Sequence, residues 1–106
     1  MSGSTRSAAR WRPTGYGYSV CRDLTGHGIG RRIHEPPNVP SFHHPRLDQS
    51  LTRGLVITIE PIIAAGRGEI RDAGVGWTLK THDGSCAAHF EHTIVITDQA
   101  PIVLTA

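Results

Sequence analysis

Aromatic residues are scarce in this chain, at 6% of its 106 positions, and hydrophobic residues of all kinds reach only 38%. Set against 12 glycines and 7 prolines, that usage is apolar-poor and turn-rich for a folded domain. It leaves room for one small domain with a modest core. Long hydrophobic runs are also missing. The longest apolar stretches, Leu55 to Ile63 and Ile94 to Leu104, fall short of the roughly 18–20 residues that a membrane-spanning helix needs. The opening residues hold no apolar segment ahead of a small-residue cleavage site, so no secretory signal is predicted and the expected location is cytoplasmic. The two cysteines, Cys21 and Cys86, lack CxxC spacing and read as reduced thiols. Charge excess is small too: 11 basic against 9 acidic residues give +2, too little to argue for a nucleic-acid groove or an anionic membrane as partner.

What is present is punctuated β structure. Residues 1–15 are polar and small and are expected to be a disordered leader, with an ordered domain over 16–106. Tyr18, Val20 and Arg22 alternate as a short strand would. Thr25 to Gly30 is glycine-dense and predicts a turn carrying His27, and EPPNVPSFHHP from Glu35 to Pro45 predicts an extended loop, because its prolines remove donors and fix φ. Leu55 to Glu60 is a β-branched strand stopped by Pro61. Its period of two puts Leu55, Ile57 and Ile59 on one face and Val56, Thr58 and Glu60 on the other. Gly66 to Gly76 is expected to be loop, Trp77 to Thr81 a strand, and His82 to Ser85 a turn. A last long strand is predicted from about Ala88 to Thr97, with Ile102 to Thr105 closing the chain as a short one. No convincing amphipathic helix is found.

Three residues carry the chemistry: His27 between glycines, Glu60 ending an apolar strand, and Glu91 among Phe90, Ile94, Val95 and Ile96. A histidine in a turn and a glutamate at a strand end are each commonly solvated surface residues. Glu91 is more pointed, because a carboxylate buried in such a run needs a positive neighbour. His89, His92 or a metal ion would meet that need, and imidazole with carboxylates suits Mn, Fe, Co or Zn. His43, His44 and His82 read as exposed. His89 shares a face with Glu91 and is a candidate for orienting a ligand, whereas His92 reads as a packing or hydrogen-bonded strand residue.

Taken in order, LTGHGIGRRIHEPPNVP (24–40), LVITIEPIIAAG (55–66) and GWTLKTHDGSCAAHFEHTIVIT (76–97) resemble the C-terminal half of type I methionine aminopeptidases, of the pita-bread metallopeptidases. Prolidases and aminopeptidase P share the GHG, HE and TIEP elements, but Glu91-His92-Thr93 stands in the methionine aminopeptidase form. The resemblance implies an α/β (α+β) pita-bread fold, here its mainly β half: a curved, largely antiparallel sheet with little helix. It implies removal of N-terminal methionine from nascent polypeptides by water activated at two divalent metal ions (Co, Mn, Fe or Zn). His27, Glu60 and Glu91 match metal ligands, with Glu91 bridging. The resemblance also makes Glu60 the candidate proton acceptor, and His34 matches the histidine that contacts the scissile amide or its oxyanion. Ile33, His34 and Trp77 match the substrate pocket.

The same resemblance places two further aspartate ligands in the family's N-terminal half. None of Asp23, Asp48, Asp72, Asp83 and Asp98 stands in their spacing, so one ion, or weaker binding, is expected for this chain. Three functional readings follow. The first is a truncated methionine aminopeptidase-like sequence. The second is a non-catalytic metal-binding or ribosome-docking module, and the third a half-enzyme completed by a separate chain or by self-association.

Overall fold

The computed structural model describes residues 16–42 and 49–106; the expected leader and the pair His43 and His44 lie outside the described residues. Among the described residues there are ten short strands and no α-helix. They are β1 (Ser19–Val20), β2 (Gly26–Gly28), β3 (Glu35–Val39), β4 (Val56–Ile59) and β5 (Ile62–Ala64), then β6 (Ile70–Asp72), β7 (Leu79–Thr81), β8 (Ala87–His89), β9 (His92–Val95) and β10 (Ile102–Val103). Every pairing is antiparallel. A five-stranded sheet runs in the order β10-β9-β4-β2-β3, a three-stranded sheet in the order β1-β5-β8, and β6 pairs with β7 as a separate ribbon.

The β-branched run of β4 makes it the hub of the larger sheet. Ile57 pairs with Ile94 of β9, and the core forms around them: Ile57 is fully buried, with Val39, Ile94 and Ile96 against it and Leu51, Leu55 and Ile59 packed at its margin. Burying side chains of this kind stabilises by roughly 1.5–3 kcal/mol each. The alternation expected for β4 holds, yet both faces are covered, since Thr58 is only 2% exposed.

Four sequence expectations need correction. His27 lies on strand β2 rather than in a turn, because Gly26 and Gly28 let the neighbouring strands close in. A Cβ on Gly26 would overlap the carbonyl oxygen of Thr58, and one on Gly28 that of Pro36. The expected loop at Glu35–Pro45 begins as strand β3, and its prolines are tolerated because β3 is a sheet edge. The expected loop at 66–76 contains β6, whose partner β7 is shorter than the predicted strand and leaves Trp77 outside it.

The fourth correction shapes the site. The predicted long strand near 88–97 is two strands, β8 in the three-stranded sheet and β9 in the five-stranded one. Its partner is interrupted at the same level: β4 stops before Glu60 and Pro61, and β5 resumes at Ile62. Pro61 has no N–H to give, but its carbonyl accepts from Phe90 N–H at 3.2 Å. Both chains therefore pass from one sheet to the other together. Glu91 consequently sits in the break rather than inside a strand, with its side chain 45% exposed.

Candidate metal centre

Register brings the two glutamates together. Ile59 pairs with His92 on one side of the interruption and Ile62 with His89 on the other, so Glu60 and Glu91 are set opposite each other. Like charges placed so are unfavourable without a cation between them. β2 lies beside β4 and brings the third member. One donor atom from each of His27, Glu60 and Glu91 falls within 4.8 Å of the others.

The hydrogen bonds around these groups fix their orientation. His27 Nδ1 lies 2.8 Å from the carbonyl oxygen of Gly28. A carbonyl only accepts, so Nδ1 carries the hydrogen and Nε2 is left facing Glu60 Oε1 at 3.1 Å. Donation of the far ring nitrogen to a backbone carbonyl is the usual way a metal-binding imidazole is held. Both groups are largely enclosed, His27 at 12% and Glu60 at 15% side-chain exposure. Thr58 ties them: its hydroxyl accepts from His27 N–H at 3.0 Å and donates to Glu60 Oε1 at 3.1 Å. One imidazole and two carboxylates form a donor set that fits a divalent ion of the Mn, Fe, Co or Zn type.

A cleft of about 510 Å³ opens beside these residues, lined among others by His27, His34, Glu60, His89, Asp23 and Trp77. The His34 ring is tilted against that of His27, with centroids 4.3 Å apart. Trp77 stands on the rim with its side chain fully exposed, and Ile33, 70% exposed, is not part of the lining. Cys21 also borders the cleft; burial pushes its thiol pKa up, with the Asp23 charge adding to the effect, so it stays protonated. His92 takes the structural role expected of it, with Nδ1 3.1 Å from Thr105 Oγ1 and its ring edge-on to Phe90. His82 is exposed in its turn.

Two residues at the site carried weaker signals. Thr58 stands two positions before Glu60 on a strand of period two, which places it on the carboxylate's face, but a hydroxyl there reads equally as packing. His89 was expected near Glu91; its Nε2 lies 3.9 Å from Glu91 Oε2 and closer, at 3.4 Å, to Glu60 Oε2.

Comparison with known proteins agrees with this geometry. Residues 3–98 match the sequence profile of metallopeptidase family M24. The chain is 43% identical over 90 residues to a methionine aminopeptidase of Clostridium acetobutylicum, covering 85% of this chain and 36% of that protein. It is 47% identical over 89 residues to the methionine aminopeptidase of Escherichia coli K12, covering 84% and 34%. In structure it is similar to the methionine aminopeptidase of Thermotoga maritima, with a TM-score of 0.81 and 41% identity over 87% of this chain and 37% of that one. The chain thus spans about a third of the length of the relatives it matches, and the sheet described above is the corresponding part of their pita-bread fold. With a profile match that covers most of its length, and with the His27, Glu60 and Glu91 cluster beside the break between its five-stranded and three-stranded sheets, the chain belongs to metallopeptidase family M24.

Proposed function

We propose that this chain carries the metal-binding and proton-transfer part of a methionine aminopeptidase centre, acting on the N-terminal methionine of newly made polypeptides. The observation that carries the reading is the convergence of His27, Glu60 and Glu91 donor atoms within 4.8 Å beside an open cleft. These three residues would hold the divalent ion, with Glu91 at the more exposed side. When bound, the ion supplies Lewis acidity toward a carbonyl oxygen and lowers the pKa of water. Glu60, held in place by Thr58, would accept the proton of the attacking water. His34, at the cleft wall beside His27, would donate a hydrogen bond to the scissile amide or the developing oxyanion. Trp77, on the rim of the cleft, would flank the methionine side chain, whereas Ile33 lies outside the lining and is not assigned that role.

A second reading, a metal-binding module without turnover or a half-enzyme completed by another chain, is favoured by one observation. Among the described residues no aspartate joins the three donors. Calorimetric titration of the apo chain with Co(II) or Mn(II), together with hydrolysis of a Met-Ala-Ser peptide, separates the two. Metal binding with methionine release supports the enzyme, and loss of release in Glu60→Gln while metal is still bound assigns the proton acceptor. Metal binding without release favours the second reading, and absence of binding overturns both.

A further inference from the structure

His89 lies beside the three-donor cluster without belonging to it. Its Nε2 is 3.4 Å from Glu60 Oε2 and 3.9 Å from Glu91 Oε2. Both separations are longer than the roughly 2.7–3.2 Å of an N–H···O hydrogen bond. The shorter, 3.4 Å, matches the spacing of neighbouring donors around one ion, and the longer, 3.9 Å, exceeds it. With metal–ligand bonds of about 2.0–2.2 Å, tetrahedral ligands stand roughly 3.3–3.5 Å apart. The 3.1 Å between His27 Nε2, the ring nitrogen without a hydrogen, and Glu60 Oε1 is slightly shorter than that spacing. The two imidazoles thus address different oxygens of one carboxylate, leaving Glu60 between them.

The backbone explains why His89 can reach. It ends β8, where it pairs with Ile62, and Glu91 follows two residues later in the break between the sheets. Residues two apart in extended chain share a face, so His89 and Glu91 look toward Glu60 together. The His89 side chain is 44% exposed and borders the cleft, so its ring is free to turn toward the three donors, whose mutual spacing of 4.8 Å or less it does not itself meet.

We propose that His89 Nε2 is a fourth metal donor, so that this chain supplies two imidazoles and two carboxylates to its own centre. The proposal rests on the metal-binding reading above and adds a ligand to it. A second nitrogen shifts the preference toward borderline ions such as Zn(II) and Co(II) and away from Mn(II) and Mg(II). It also offsets, from within the described residues, part of what a three-donor site lacks.

The test is X-ray absorption at the zinc edge on the full chain loaded with one Zn(II), which counts imidazole ligands, read alongside Co(II) affinity. Two imidazoles are expected in the unsubstituted chain and one in His89→Gln. The glutamine keeps a hydrogen-bonding amide but is a poor ligand. Co(II) affinity should fall by more than the roughly 10–100-fold typical of an outer hydrogen-bond partner. A count of one imidazole in the unsubstituted chain, lost in His27→Ala and kept in His89→Gln, would overturn the fourth donor while leaving the three-donor centre intact. Failure of the unsubstituted chain to bind Zn(II) or Co(II) would overturn both.

Discussion

Glu60 and Glu91 stand opposite each other at the one level where both antiparallel partners leave the larger sheet for the smaller, with Ile59–His92 and Ile62–His89 pairs on either side. Two carboxylates so placed oppose folding of the metal-free chain and favour the loaded one. Glu91→Gln should therefore stabilise the apo chain by about 0.2–1 kcal/mol, the scale of a cross-strand charge pair, while weakening Co(II) binding. Urea unfolding with and without metal checks this. In the unsubstituted chain, free ion at 100 times its dissociation constant should add about 2.7 kcal/mol. An apo stability that falls in Glu91→Gln would mean that the carboxylate repulsion is already relieved without an ion.

Thr58 is the hinge between the imidazole strand and the carboxylate. Its hydroxyl takes the His27 N–H and gives to Glu60 Oε1, and the residue is only 2% exposed. Thr58→Val keeps the shape and removes both bonds, leaving a backbone donor without its partner. The expected loss is about 1–3 kcal/mol, accompanied by weaker metal binding because Glu60 is no longer oriented. Thr58→Ser should retain most of the binding. If Thr58→Val matched the parent in Co(II) affinity, the hydroxyl would be a packing group alone.

Much of this arrangement could be read from the sequence, and what could not has physical causes. The β4 run was legible because β-branched residues and a terminal proline leave few alternatives, and its period of two correctly joined Thr58 to Glu60. The resemblance to the methionine aminopeptidases rested on short strings around His27, Glu60 and Glu91, and the structure brings those three together. Strand β3 was hidden because prolines argue against a strand unless one knows that it lies at an edge. The division between β8 and β9 was hidden because Phe90 and Glu91 continue the hydrophobic alternation on both sides, and only the interruption at Pro61 on the partner reveals it. β6 escaped notice because Ile70–Asp72 is short and flanked by glycines, which report on turns more strongly than three residues report on a strand.

Gly26 allows β2 to fit between its neighbours. A side chain there would meet the Thr58 carbonyl oxygen and, at 3.2 Å, that of Val39, both of them backbone atoms that cannot swing aside. Gly26→Ala should cost at least the ~1–3 kcal/mol of an overpacked core and displace His27 from Glu60. Gly84→Ala, at a turn with open space around it but φ of +77°, should cost about 1–2 kcal/mol of left-handed backbone strain and leave metal affinity unchanged. Denaturant midpoints for the two variants give the comparison. Equal losses would show that crowding at β2 is relieved by a shift of the strand.

Asp83 organises the loop that joins the two smaller sheets. Its Oδ2 accepts from Arg67 N–H at 2.9 Å, and its Oδ1 accepts from the Ser85 N–H at 3.0 Å and hydroxyl at 2.7 Å. The Arg67 backbone bond is the largest influence, followed by the Ser85 hydroxyl and then the Ser85 N–H; together they lower the carboxyl from its ordinary 3.8 to about 2. A depressed carboxylate supports the fold above its unfolded pKa and loses that support as pH falls through the folded value. Loop order should therefore hold at pH 4 and be lost progressively between about 3.8 and about 2. The amide resonances of Arg67 and Ser85, followed by NMR through an acid titration, should move together with a midpoint near 2. Asp83→Asn, which keeps one acceptor oxygen but no charge, should abolish that transition and leave the His27 and Glu60 signals in place. A midpoint at 3.8 in the unsubstituted chain would mean that the carboxylate is solvated and that the loop is held by Ser85 alone, through the bond its Oγ accepts from Gly66 N–H.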